Sequence, residues 1–249
     1  MIIYRSPQEI AKIQRSAQLV AATVQYLASM IEPGVTTVEL DRMAESYIRK
    51  HGGIPAFKGY RGFPATLCTS INHEVVHGIP SKQRRLHEGD IIGIDCGAIV
   101  DGYYGDHAIT FAVGKITEVE QRLLDTAQQA LAVAVAQAKV GNHLSDISHA
   151  IQVYAEERGY SVVKAFVGHG IGTALHEEPQ VPNFGPPGRG PRLREGMVLA
   201  LEPMVNIGTS DVSILSDNWT VVTADGKLSA HFEHTVAVTE CGGRVLSQL

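Results

Sequence analysis

One spacing limits what this chain can fold into. The pattern Leu86-x-Glu88-Gly89-x5-Asp95 returns as Leu193-x-Glu195-Gly196-x5-Glu202, an offset of 107 residues that carries Asp95 onto Glu202. The same offset carries Gly34 onto Gly141, Tyr47 onto Tyr154 and Gly52 onto Gly159. A duplicated unit of helix, strands and strand-borne carboxylate is the simplest source of such matches. Two such halves facing each other bring their carboxylates together at a pseudo-two-fold centre. No linker-like stretch separates them, so residues 1–249 read as a single domain of α/β (α+β) class.

Local signals fill in the halves. Ser6-Pro7-Gln8-Glu9 reads as a capping box with proline at the first helical position. Ile10, Ile13, Ala17, Val20, Val24 and Leu27 follow at helical spacing, until Glu32-Pro33-Gly34 stops the helix. Thr36-x-x-Glu39 opens a second helix that ends at Gly52-Gly53. Thr117-x-x-Glu120 opens a third that runs to Gly141, and a fourth spans about Asp146 to Gly159. Asp90 to Ala98 and Val198 to Val205 read as strands. Asp101-Gly102 and Asp225-Gly226 read as hairpin turns, the second leading into a strand from His231 to Val238.

The strands carry misplaced charge. Asp95 sits inside Ile91-Ile92-Gly93-Ile94-Asp95-Cys96, where an ionised side chain is costly unless paired or metal-bound. A two-residue turn at Asp101-Gly102 sets Gly97 opposite Asp106. Asp106 then lies diagonal to Asp95 on one face, roughly 7–8 Å away between backbones, with Gly97 leaving room between them. Glu202 and Glu233 are the matching carboxylates of the second half, again in apolar strand-like context. Four clustered carboxylates repel one another and become stable around divalent cations. His169, flanked by glycines in Gly168-His169-Gly170, adds a nitrogen ligand. His77 and His176 sit in loops rich in glycine and proline, where catalytic groups concentrate.

Composition narrows the partners. Hydrophobic residues make up 44% and charged residues 19%, which excludes disorder. A net charge of −5 argues against a sequence-independent grip on nucleic acid. Three cysteines cannot all pair, and no CxxC occurs, so a reduced compartment is expected. The opening MIIYRSPQEI has no signal-peptide pattern, and the apolar stretch Ala130–Ala138 is too short to span a bilayer. A cytoplasmic location follows as an expectation.

Taken in order, Asp95, Asp106, His169, Glu202 and Glu233 resemble the five-ligand dinuclear metal site of the methionine aminopeptidases. The strings around them agree: Asn72-His73-Glu74-Val75-Val76-His77-Gly78, His176-Glu177-Glu178-Pro179, Glu202-Pro203-Met204 and Phe232-Glu233-His234-Thr235. The resemblance covers nearly the whole chain and is to the short, bacterial-like type I form. It implies a pita-bread fold, with a curved antiparallel sheet and helices outside. It implies removal of the initiator methionine from nascent proteins and peptides whose second residue is small, by a water activated between two divalent ions of cobalt, manganese, iron or zinc. Asp106 and Glu233 would bridge the ions, Asp95 would hold one, and His169 and Glu202 the other. Glu202 would be the general base, His176 would contact the carbonyl oxygen and His77 the scissile amide nitrogen. Tyr60, Phe63, Cys68, Leu175 and Trp219 would form the methionine pocket, Leu175 standing where an aromatic is common. The resemblance further implies a monomer acting on nascent N-termini, with transient ribosome contact and no nucleic-acid or membrane partner.

Two residues depart from the family pattern. His107 follows Asp106 where a small residue is usual, and alternation points it away from the metals. His231 stands where glutamine is common and shares the parity of Glu233, which places it near the site. Cys68 has no adjacent base and reads as packing, not as a nucleophile. The rival readings are an Xaa-Pro aminopeptidase or dipeptidase of the same fold, and a non-catalytic pita-bread binding protein. The first usually carries an extra N-terminal domain and additional site histidines. The second loses metal ligands, and all five are intact in this chain.

Overall fold

The computed structural model describes residues 1–249. Four helices, α1 (Pro7–Ala28), α2 (Thr37–Lys50), α3 (Glu118–Gln137) and α4 (Leu144–Glu156), alternate with strands. In chain order these are β1 (Ile54–Pro55), β2 (Leu67–Ile71), β3 (Glu74–Val76), β4 (Ile91–Val100) and β5 (Tyr103–Ala112) in the first half. The second half holds β6 (Ser161–Val162), β7 (Gly168–Gly170), β8 (Glu177–Val181), β9 (Val198–Leu201) and β10 (Met204–Asn206). It ends with β11 (Val212–Ile214), β12 (Val221–Thr223), β13 (Ser229–His231), β14 (Glu233–Thr239) and β15 (Gly242–Val245). No helix is long and apolar enough to cross a membrane.

The duplication is written into the hydrogen bonds. From its middle outward, the antiparallel nine-stranded sheet runs β5-β4-β2 on one side and β14-β9-β7 on the other. Gly34 N–H donates to Leu86 C=O at 2.8 Å, and Gly141 N–H to Leu193 C=O at 3.0 Å. Thr37 N–H donates to Arg84 C=O, and Leu144 N–H to Pro191 C=O, both at 2.9 Å. Each of these pairs is displaced by the repeat offset of 107. The symmetry reaches the rim: Ile54 and Pro55 of β1 lie opposite Ile99 and Ala98, and Ser161 and Val162 of β6 lie opposite Asn206 and Val205, every position shifted by 107, although β10 belongs to a separate three-stranded sheet.

The helices cover the outer face of the sheet. Val20, Val24, Leu40 and Ile48 of α1 and α2 pack with Ile92, Ile94 and Cys96 of β4. Leu123, Leu131, Ile147 and Ile151 of α3 and α4 pack with Leu199 and Leu201 of β9. Each such buried aliphatic side chain contributes about 1.5–3 kcal/mol of transfer free energy. Because strand side chains alternate, sending these residues outward turns Asp95, Gly97, Ala200 and Glu202 inward.

Capping explains the helix starts. Ser6 N–H donates to Glu9 Oε2 at 2.9 Å, and Thr36 N–H to Glu39 Oε2 at 2.8 Å. The fourth helix starts earlier than the sequence suggests, because Asp146 Oδ2 accepts from the N–H of His143 at 2.7 Å. The third stops at Gln137, short of Gly141, because the chain leaves to pair with β14: Val140 N–H donates to Thr239 C=O at 2.9 Å. The expected strand Val198–Val205 is two strands. Glu202-Pro203 breaks the ladder, and β10 joins β13 instead of the large sheet. Asp225-Gly226 is a turn but not a hairpin, since β12 pairs with β3 and β11, and β13 with β10. Both flanks are held by the loop before β3: Thr223 N–H donates to His73 C=O and Ser229 N–H to Asn72 C=O. The run His231–Val238 is split at Phe232. The space at Gly97 is not left open, as a Cβ there would stand 2.6 Å from Cε1 of Phe57.

Candidate metal centre

Register places five ligand-type side chains on one face. Gly97 lies opposite Asp106, and Asp95 opposite Ala108. Across the seam between the halves, Glu233 also lies opposite Ala108, so Asp95, Ala108 and Glu233 form a row over three strands. A second row runs Thr235, Ala200, His169 over β14, β9 and β7. Glu202 lies two residues past Ala200, on the same side. The glycines beside His169 are a steric need. A Cβ on Gly168 would stand 2.4 Å from the carbonyl oxygen of Ala200, and one on Gly170 would stand 2.3 Å from that of Glu178.

Ligand atoms of Asp106, His169 and Glu233 all lie within 4.8 Å of one another. Glu202 extends the group: its Oε1 is 3.6 Å from Nε2 of His169, and its Oε2 is 3.6 Å from Nε2 of His231. These separations are too long for hydrogen bonds. They match ligands that share an ion, each about 2.0–2.2 Å from it. His169 donates Nδ1–H to the carbonyl oxygen of Gly170 at 2.9 Å, which leaves Nε2 bare toward the site.

Burial sets the charge. It pushes the carboxyls of Asp95 and Glu202 up to about 7. Asp106 and Glu233 are also pushed well up, by burial first and then by repulsion from neighbouring carboxylates. Oδ1 of Asp95 and Oε1 of Glu233 are buried without any hydrogen-bond partner. Orphaned carboxylate oxygens in a water-poor centre are costly, and a divalent cation is the partner that their charge and grouping fit. Four carboxylates and one imidazole suit the first-row divalent ions.

An apolar cleft adjoins these ligands. Tyr60, Phe63, Cys68, His77, Leu175, His176 and Trp219 all line it together with the carboxylates. Phe63 meets Trp219 edge-to-face with ring centroids 5.1 Å apart. Leu175 and Cys68 are buried, and burial followed by the charge of Asp95 pushes the Cys68 thiol well up, so it is no nucleophile. Tyr60 Oη is 2.9 Å from Nδ1 of His176. Burial lowers His176 and His77 to about 4, which keeps both neutral near pH 7. His77 sits at φ 61°, a strained position for a side-chain-bearing residue, and its ring meets Phe166 and Trp219 edge-on.

Sequence reasoning missed two cleft residues, Phe57 and Arg61. Both belong to the aromatic–glycine run Phe57-Lys58-Gly59-Tyr60-Arg61-Gly62-Phe63, and the close spacing of its aromatics was the available signal. His231 is fully buried beside Glu202 with an unpartnered Nε2. His107 faces away from the ligands, its Nδ1 bonded to the carbonyl oxygen of Glu233.

The comparisons with known proteins agree with this geometry. The model of metallopeptidase family M24 matches residues 11–240. A methionine aminopeptidase of Clostridium acetobutylicum is 54% identical over 247 residues, covering 99% of each chain. Methionine aminopeptidase 1 of Bacillus subtilis is 51% identical over 249 residues, covering 100% of each. The crystal structure of a methionine aminopeptidase from Rickettsia prowazekii superposes with a TM-score of 0.98 at 40% identity, over 100% of both chains. The curled antiparallel sheet with its outer helices is therefore the pita-bread fold. The chain belongs to metallopeptidase family M24, and within it to the methionine aminopeptidases.

Proposed function

We propose that this chain hydrolyses the N-terminal methionine from peptides and nascent proteins whose second residue is small. The observation that carries the reading is the joining of five ligand-type side chains, three of them buried, to apolar walls in one cleft. Asp95, Asp106, His169, Glu202 and Glu233 would hold two divalent ions of the cobalt, manganese, iron and zinc class. When bound, the ions lower the pKa of water and polarise the scissile carbonyl.

The chain's own groups do the rest. Glu202 takes a proton from the attacking water and returns it to the departing amine. With the Tyr60 hydroxyl donating to Nδ1, His176 carries its proton on Nε2 and donates it as a hydrogen bond to the carbonyl oxygen as charge develops there. His77 contacts the scissile amide nitrogen. Phe63, Cys68, Leu175 and Trp219 enclose the thioether side chain, and Tyr60 closes the pocket beside His176. The same reading takes residues 1–249 as one catalytic domain that acts as a monomer in the cytoplasm, on N-termini emerging from the ribosome.

The experiment is release of free methionine from Met-Ala-Ser after chelation, with single divalent metals added back, beside Ala-Pro peptides. Metal-dependent release from Met-Ala-Ser is expected. Cleavage confined to Xaa-Pro bonds would replace this reading with the prolidase-like one.

A further inference from the structure

His176 stands on a stretch that packing alone does not fix. Between β7 and β8 the run Gly172-Thr173-Ala174-Leu175-His176 has no regular structure. Leu175 is anchored by burial with Ile171 and Phe63, whereas Thr173 and Ala174 are exposed. Tyr104 N–H secures one end by donating to Gly172 C=O at 2.8 Å, and Tyr60 Oη holds Nδ1 of the His176 ring. The N–H groups between them are closed by the residue after His176. Oε1 of Glu177 accepts from Thr173 N–H at 2.8 Å and from Ala174 N–H at 3.0 Å. The Glu177 side chain is only 9% exposed, so a carboxylate used this way needs a counter-charge.

The counter-charge comes from the segment ahead of α1. Nη2 of Arg5 donates to both oxygens of Glu177, at 2.6 and 2.7 Å, and lies 3.3 Å from Oγ1 of Thr173. A Cβ on Gly172 would stand 2.4 Å from the same Nη2, so the guanidinium is pressed against the backbone of the loop itself. Arg5 is also held from behind. Its own N–H donates to Gly196 C=O at 2.7 Å, in the turn that leads into β9, and its Nη1 lies 3.4 Å from Oε1 of Glu9 in α1. The Nε of Arg5 is buried without a partner, a cost that the fold accepts in order to place Nη2.

We propose that Arg5 is a positioning residue for the hydrolysis, acting through Glu177 to hold the backbone that carries His176. The inference rests on the aminopeptidase reading above, in which His176 donates to the carbonyl oxygen as charge develops there. Such a bond matters most in the transition state, so losing its geometry lowers kcat more than it changes KM.

The test is a double-mutant cycle on methionine release from Met-Ala-Ser by metal-loaded enzyme, with each variant's fold checked by circular dichroism. A reacting group displaced by about 1 Å costs on the order of 10²-fold, so Arg5→Met should lower kcat by about 10–10²-fold and leave KM within about twofold. In Arg5→Lys one ammonium still meets both carboxylate oxygens, and most of that loss should be recovered. On a His176→Ala background, Arg5→Met should cost no more than about a further twofold, because the two residues act as one unit. An equal loss on both backgrounds overturns the proposal, since Arg5 then acts on the fold at large. So does wild-type kcat in folded Arg5→Met. If Arg5→Met does not fold, Glu177→Gln runs the same cycle, its amide nitrogen standing where one acceptor of Nη2 stood, and the same two outcomes decide. Wild-type protein that releases no methionine with any metal fails at the first step, and that failure belongs to the aminopeptidase reading and takes this inference with it.

Discussion

Glu202 touches both imidazoles of the centre, one per oxygen, and so combines ligand and proton carrier in one side chain. Glu202→Gln should keep the fold by circular dichroism and lose turnover by about 10²–10⁴-fold, the range for removing a general acid–base. Turnover like that of wild type would remove its assigned role. His231 is the companion case. Its Nε2 is buried and unpartnered 3.6 Å from Glu202, so His231→Leu should weaken metal binding about 10–100-fold, measured by cobalt competition against a chelating dye. Unchanged affinity would show that the ring is idle. At this scale the sequence was legible where charge and surroundings conflict, as with Asp95 among isoleucines. Phe57 and Arg61 stayed hidden because an aromatic or an arginine in a glycine-rich loop conflicts with nothing.

Elements were legible where a local rule decides them. The Ser-x-x-Glu and Thr-x-x-Glu boxes located three helix starts, since each cap is closed within four residues. The fourth start was misplaced because histidine is a weak cap signal, although Asp146 completes the motif. Strand breaks at Glu202-Pro203 and Phe232 were invisible, because which sheet a residue joins is settled by partners far away in sequence. The strand β7 gives the clearest test of an element as a support. Gly170→Ala forces a Cβ to 2.3 Å from a backbone oxygen of Glu178, so β7 must part from β8 and carry His169 with it. Loss of both metal binding and at least several degrees of melting temperature is expected, the first by calorimetry and the second by thermal scan.

Over the whole molecule, the buried carboxylates tie stability to pH. Their folded pKa values are raised, to about 7 for Asp95 and Glu202 against ordinary values of 3.8 and 4.5. At these carboxyls the metal-free folded state holds more protons than the unfolded chain, whereas the buried histidines, whose pKa values are lowered from 6.5, hold fewer below that value, so the fall in stability with rising pH stands unopposed from about 6.5 through 7. The melting temperature of chelated protein should drop across that window, and a saturating divalent ion should offset the drop at its upper end. A flat profile without metal would contradict the burial of these groups. The overall plan was legible from one offset of 107 residues, because a duplicated chain repeats its hydrogen bonds along with its residues. The rim pairs repeat at the same offset, β1 on β4 and β6 on β10, and what was not legible is the break at Glu202-Pro203 that puts the second pair in a separate sheet. The seam between β5 and β14 has a further consequence. Asp95 and Asp106 come from one half, and His169, Glu202 and Glu233 from the other, so neither half alone owns a complete site. A half-length ancestor built this way could have held its ions only as a pair of identical copies. What is now the middle of one sheet is then a fused subunit interface, and the two halves were free to become chemically unlike only once they shared a single chain.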